Sequence, residues 1–133
     1  MKTAEIDLEG VADWALEKVG KGLNAGALYL TGEIKGEISK PGQGREYKRG
    51  SRTHRASAPG QAPASDTGRL LGATQPIGIS FEADRVVTGV VANTDYAEDL
   101  ELGTDKLEAR PFMGATLFSR LDNVATVVKV NIT

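Results

Sequence analysis

The first third of the chain has the apolar pattern of a long helix. Between residues 8 and 39, apolar residues recur at spacings of three and four, which places them along one side of a helix. Pro41, Gly42 and Gly44 end this helix, because proline and glycine are poor continuations of helical backbone. The apolar stripe consists of Leu8, Val11, Trp14, Ala15, Val19, Leu23, Ala27, Leu30, Ile34 and Ile38.

Six glycines lie within this predicted helix. Each costs about 0.5–1 kcal/mol relative to alanine in a helix interior, so packing must hold the helix together. The glycines allow a sheet or a neighbouring subunit to approach closely, and the alternative is a kinked or interrupted helix. The six are Gly10, Gly20, Gly22, Gly26, Gly32 and Gly36.

An alternating pattern predicts a β-hairpin in the second half. Residues 77–82 alternate apolar and small or polar side chains, and β-branched residues dominate 85–92 after a turn. Residues 96–102 predict a short helical turn that ends at Gly103. Upstream, Leu70 and Leu71 suit another short turn docked on the core, capped by Ser65, Asp66 or Thr67. We expect Trp14, Leu23 and Phe81 to be buried together where the long helix crosses the hairpin.

The C-terminal pattern is ambiguous. Pro111 suits the first turn of a helix whose buried face is Phe112, Leu117, Phe118 and Leu121. Beyond Asn123, Leu121, Val124 and Val128 continue a helical stripe, but Val128, Val130 and Ile132 alternate with polar residues. The β-branched composition favours a final strand.

Residues 40–68 predict a basic arm and a shaped connector. A Gly50-Ser51 turn inside 45–55 favours a projecting hairpin, and Pro59, Gly60 and Pro63 exclude helix up to about Ser65. The whole chain, residues 1–133, therefore predicts a single α+β domain. It has a long helix at 8–39 on a small antiparallel sheet, the arm and connector at 40–68, and a hairpin, acidic turn, second helix and final strand in 69–133.

Length, composition and charge limit the classes of protein to which this chain can belong. The 133 residues suit one domain, and no apolar run approaches the ~20 residues of a membrane span. The start has no signal-peptide pattern, so we expect the chain to work in a cytosol, and the absence of cysteine excludes disulfides and thiol chemistry. Although the net charge is −2, residues 40–55 carry +5 and residues 95–108 carry −5. Such a split suggests contacts between copies.

Candidate chemistry is sparse. The sole histidine, His54, lies in the basic arm, where a solvated or interface role is favoured over general-base catalysis. Asp95, Glu98, Asp99 and Glu101 lack the loop spacing of a calcium site and favour a solvated acidic face. We therefore expect no catalytic residue, cofactor or metal. The expected subunit or partner interface consists of Arg45, Lys48, Arg49, Arg52, Arg55, Glu98, Asp99 and Glu101.

Three motifs carry a resemblance to a known family. They are YKRG-x3-H-x-ASAPG-x2-PA-x-DTGRL at 47–70, VANTDYAEDLELGT at 91–104 and ARPFMGATL at 109–117. In this order and spacing the chain resembles the neck, or head–tail joining and tail-completion, proteins of long-tailed double-stranded DNA bacteriophages. The residues that match the family's motifs are Thr67, Gly68, Arg69, Tyr96, Glu101, Gly103, Arg110, Pro111 and Phe112.

The resemblance implies a structural virion protein rather than an enzyme. Subunits of this family form a ring, expected to be a hexamer, between a head-closure or connector protein and the tail terminator or tail tube. Double-stranded DNA passes through the ring without sequence recognition. The implied location is the virion neck at the head–tail interface, and the host cytoplasm before assembly. Two other readings of the residues stay open: a nucleic-acid-binding module that uses the basic arm, and a metal-dependent enzyme that uses the acidic residues.

Overall fold

The fold is α+β, as predicted, in a computed structural model that describes residues 13–40, 42, 46–49, 52–55, 63, 68–82 and 85–132. Five helices and four strands lie within these ranges. The helices are α1 (Asp13–Ile38), α2 (Arg69–Ala73), α3 (Ala97–Leu102), α4 (Gly114–Ser119) and α5 (Leu121–Ile132). The strands are β1 (Glu46–Arg49), β2 (Arg52–Arg55), β3 (Thr74–Phe81) and β4 (Val86–Ala92).

The long helix α1 organises the body. One side of it packs on the β3–β4 hairpin and an adjacent side packs on α5. The core lies where α1 meets α2, β4, α3 and the segment before α4, and its buried members are Leu30, Ile34, Ile38, Leu70, Val90, Ala97 and Phe112. The predicted stripe is therefore buried from Ala27 onward, where leucine and isoleucine supply the apolar area that drives folding.

The predicted hairpin is confirmed. Strands β3 and β4 are antiparallel, Thr74 pairs with Ala92 and Phe81 pairs with Val86. The register shifts between Ile77 and Ser80, so the ladder is irregular beside Gly78. The predicted short turns are also present as α2 and α3, and α3 ends at Gly103 as expected.

Close approach explains three of the helix glycines. Helix α1 runs continuously through them. A Cβ at Gly20 would lie 3.0 Å from the ring of Phe81, and one at Gly22 would lie 2.7 Å from the Val128 carbonyl oxygen. A Cβ at Gly26 would lie 2.7 Å from a Val128 methyl carbon. Hydrogen alone fits at Gly22 and Gly26, so α5 depends on glycine for its distance from α1, whereas at Gly20 the exposed Phe81 ring would have to shift slightly to admit a methyl group.

The predicted final strand is wrong. Residues 121–132 form helix α5, which lies along α1 with Val124, Val128 and Ile132 against Gly22 and Gly26. These three side chains recur every four residues, so one helical side can cover the glycine pair. Tertiary packing therefore overrides the β-propensity of the valines and isoleucine.

Two predictions about the preceding helices also need correction. Helix α4 begins at Gly114 rather than around Pro111, and it is separated from α5 at Arg120. Phe112 is buried and Leu117 is half-buried as predicted, but Phe118 and Leu121 are exposed. The helical stripe is interrupted because the backbone departs from helical geometry at Arg120.

The predicted aromatic cluster is absent. Trp14 is 67% exposed, Phe81 is 56% exposed and Leu23 is half-buried. Phe81 lies over Gly20 of α1, at the end of β3 that leads into β4. Trp14 lies seven residues before Lys21 and fourteen before Leu28, which places it on the side of α1 that faces away from the core. The buried core is aliphatic instead, with Phe112 as its one large aromatic among the described residues.

Candidate interaction surfaces

The basic arm contains a two-stranded hairpin, as predicted. Strands β1 and β2 are antiparallel, with Glu46 opposite Arg55 and Arg49 opposite Arg52. The Arg55 guanidinium forms an exposed ion pair with Glu46 at the base of the ladder. Lys48, Arg49 and Arg52 also lie on these strands, whereas Arg45 and the predicted Gly50-Ser51 turn lie outside the described residues.

The acidic residues separate into two environments. Glu98 and Asp99 are exposed on α3, where they are accessible to a partner. We define the acidic face by these two residues together with the exposed Leu102, Asp105 and Glu108. Glu101 instead turns toward the body, and its carboxylate is occupied within the fold.

Glu101 forms a clasp at the start of α4. Its carboxylate accepts hydrogen bonds from the backbone N–H groups of Phe112, Met113 and Gly114, at N–O distances of 2.8, 3.0 and 2.9 Å. These groups are the free donors that a helix start leaves without intrahelical partners. A negative charge also suits the positive end of the helix. The Glu101 clasp thus fixes the segment that carries the buried Phe112.

Gly103 allows the chain to turn sharply beside the clasp. Its φ of 78° is left-handed, and a Cβ there would lie 2.9 Å from the Ala109 nitrogen. The Arg110 N–H donates to the Leu100 carbonyl at 2.6 Å. Four residues of the sequence motifs therefore meet in one connected unit, which consists of Glu101, Gly103, Arg110 and Phe112.

A second group of motif residues meets around Arg69. Gly68 precedes α2 with a φ of 78°, and Arg69 reaches Asp95 with an N–O distance of 3.3 Å. The Arg69 guanidinium also lies 5.4 Å from the centre of the Tyr96 ring. This exposed contact joins α2 to the turn before α3. Thr67 and the other predicted capping residues lie outside the described residues, and Gly68 occupies the cap position without a side-chain hydrogen bond.

Arg120 links the C-terminal helices to α1. Its guanidinium contacts Glu33 at 3.1 Å and Glu37 at 3.8 Å. The hydrogen bond with Glu33 raises the pKa of Arg120 above its ordinary value. Arg120 and Glu33 lie 87 positions apart, so no local sequence pattern predicts their ion pair.

The side of α1 that faces away from the core carries an unexpected pattern. Trp14, Lys21, Leu28 and Lys35 recur every seven residues and form a single line, which we call the outer row. Leu28 is 54% exposed, and the Lys18 ammonium lies 5.7 Å from the centre of the Trp14 ring. In the described part of the chain, no atom outside the local helix backbone lies within 4 Å of the Cβ positions of Gly32 and Gly36 beside this row. The seven-residue spacing was visible in the sequence, but the stronger apolar stripe masked it.

The described residues do not assemble a metal site. No group of three or more carboxylate, histidine or cysteine side chains in these ranges could hold an ion. His54 lies on β2, opposite Tyr47. None of the described helices has the length and apolarity to cross a membrane.

No protein-family model, curated protein sequence or solved structure matches this chain.

Proposed function

We propose that this chain is a structural subunit of the neck of a long-tailed double-stranded DNA bacteriophage. Subunits form a ring, with six copies as the working number, between a head-closure or connector protein and the tail terminator or tail tube. The ring lies in the virion neck and the genome passes through its opening. The observation that carries the proposal is the ordered set of three motifs, from residue 47 to residue 117, that resembles this family.

The placement of the motif residues supports this proposal. Glu101, Gly103 and Phe112 belong to the clasp, and Arg69 contacts Asp95 and Tyr96. These contacts give the motif residues a physical reason to occur together, because they hold α2, α3 and α4 around the core. A chance match of letters would not require the three motifs to meet in space.

The charge distribution supports assembly from identical copies. The basic arm and the acidic face carry opposite charges on different elements, so one copy can present its arm to the acidic face of the next. Contacts between two different surfaces generate a closed ring when the rotation closes. Exposed ion pairs contribute only about 0–1 kcal/mol each, so their main effect is on the relative orientation of subunits.

Electron microscopy of the purified chain, alone and with a neighbouring neck protein, tests the proposal. We expect closed rings with a central opening. Replacing Arg49 and Arg52 by glutamate should weaken assembly, and adding Glu98→Lys and Asp99→Lys should partly restore it. Glu101 is left unchanged because it supports the fold. A chain that stays monomeric at high concentration and with neck proteins would contradict the proposal.

The basic hairpin favours one alternative, a module that binds nucleic acid. Four of the eight residues in β1 and β2 are Lys or Arg, and only Glu46 is acidic. Such a module would bind random duplex DNA with an affinity that falls steeply with salt, because phosphate contacts release counterions. Binding of a labelled duplex by the monomer at low salt, lost in the Arg49→Glu and Arg52→Glu variant, would favour this alternative.

A further inference from the structure

The outer row of α1 has the character of a docking surface. It alternates large apolar and cationic side chains, Trp14, Lys21, Leu28 and Lys35, over about 30 Å of helix. A helix that only faces water has no need of an exposed tryptophan and an exposed leucine in one line. The cations define the partner further, since a complementary surface must be acidic and must offer an apolar side chain.

The acidic face has these properties. Leu102 is 70% exposed at the end of α3, and Glu98 and Asp99 lie three and four residues before it on the same side of the helix. Asp105 and Glu108 are also exposed and follow in the chain after α3. Helix α3 is about 9 Å long, close to the roughly 10 Å between Leu28 and Lys35 along α1.

These two surfaces cannot meet within one copy. Ala97, on the other side of α3, is buried in the core with Ile34 and Ile38, and the outer row faces away from that core. Docking of one surface on the other therefore requires two copies. Because the surfaces differ, each copy in such a pair keeps its other surface free for a further copy.

We infer that the acidic face of one copy docks on the outer row of the next, with Leu102 against Leu28 and the carboxylates against Lys21 and Lys35. The open space beside Gly32 admits the incoming leucine. This inference rests on the proposed ring and names the apolar anchor of its subunit contact. The basic arm adds cations to the same neighbour, while the leucine pair excludes water from the centre.

Disulfide trapping tests the contact directly, because the chain has no cysteine of its own. Proteins carrying Leu28→Cys and Leu102→Cys are mixed and oxidised. We expect a disulfide-linked dimer from the mixture and a ladder of larger species from the double variant. Leu28→Cys mixed with Val130→Cys is the control, since Val130 is similarly exposed on α5 and should give no product.

Truncation of the anchor gives a second measurement. Leu102→Ser and Leu28→Ser should each weaken association by roughly ten- to hundred-fold in sedimentation, as expected for losing one buried leucine from a contact. Val130→Ser should leave association unchanged. Circular dichroism verifies that each variant is folded. Gly32→Trp, which fills the space beside Leu28, should block association without unfolding the monomer.

The outcomes separate this inference from the proposed function. The inference would be overturned, and the ring left in place, if rings persist in the Leu28→Ser, Leu102→Ser and Gly32→Trp variants and no disulfide forms between positions 28 and 102. A chain that forms neither rings nor the disulfide at any concentration would overturn both. Association lost on reversing Arg49 and Arg52 but unaffected at Leu102 would assign the contact to the arm alone.

Discussion

The inner and outer sides of α1 both contain glycines, but the surroundings of these glycines differ. On the inner side, Gly22 and Gly26 leave no room for even a methyl group, because α5 lies against them. On the outer side, Gly32 and Gly36 have open space around their Cβ positions. All four weaken the isolated helix by a similar amount, but among the residues that the structure describes only the inner pair gains a contact with a distant segment in return. The role of a glycine in α1 therefore depends on which segment approaches it.

The largest expected difference in stability comes from shortening one side chain on each side of α1. Ile34 is buried and Leu28 is exposed, although both lie on α1. Ile34→Ala should lower the free energy of unfolding by about 2–5 kcal/mol, through lost burial and a cavity. Leu28→Ala should change it by no more than about 0.5 kcal/mol in the monomer. Urea unfolding of dilute protein measures both, and equal losses would remove the distinction between the sides.

A smaller loss is expected when the inner side is crowded. Gly22→Ala places a methyl group 2.7 Å from the Val128 carbonyl oxygen, so α5 must move away from α1. Overpacking of this kind typically costs about 1–3 kcal/mol, more than alanine gains in helix propensity. Thermal unfolding should show a lower midpoint, and an unchanged midpoint would mean that α5 is not held tightly on this side. Gly32→Ala provides the matched control.

Weakening the Glu101 clasp tests how much it stabilises the segment that carries the buried Phe112. Glu101→Gln replaces one accepting oxygen by an amide NH₂ group, so at least one backbone N–H at the start of α4 loses its partner. We expect a loss of about 1–2 kcal/mol, within the range for an unsatisfied partly buried donor. Glu98→Gln, on the exposed side of the same helix, should change stability by less than about 0.5 kcal/mol. Similar effects of both changes in chemical unfolding would argue against the clasp.

The smallest effect has the opposite sign. Gly32→Ala and Gly36→Ala should each raise the free energy of unfolding by about 0.5–1 kcal/mol, because alanine favours the helix and no neighbour obstructs its methyl group. The measurement requires protein dilute enough to be monomeric. A decrease would show that the outer side of α1 contacts another part of the same chain.

Local patterns predicted most of the fold. Spacings of three and four predicted α1, alternation predicted β3 and β4, and Gly103 marked the end of α3. The signals failed where distant segments decide the outcome. Residues 121–132 have the composition of a strand, yet the glycine pair on α1, about a hundred positions earlier, offers a surface that a helix covers.

Less of the candidate interaction surfaces than of the fold could be predicted from the sequence. The charge split at 40–55 and 95–108 was visible, but charge alone could not separate the exposed Glu98 from Glu101, whose carboxylate meets three backbone N–H groups. A carboxylate that accepts hydrogen bonds from backbone N–H groups has no partner side chain, so no pair of residue types in the sequence predicts this role. Trp14 was assigned to the core because it fits the apolar stripe, and a tryptophan at the stripe's edge fits either side of the helix equally well.

The packing of α5 on α1 has a kinetic consequence. Gly26 and Val128 touch although 102 positions separate them, whereas the clasp closes a loop of only eleven residues between Glu101 and Phe112. Loop-closure entropy makes contacts of large sequence separation slow to form. We therefore expect the α3–α4 unit to form early and α5 to dock late. On the ribosome, the glycine surface of α1 stays uncovered until residues 121–132 have been synthesised, which makes this interval the period of greatest exposure to misassembly.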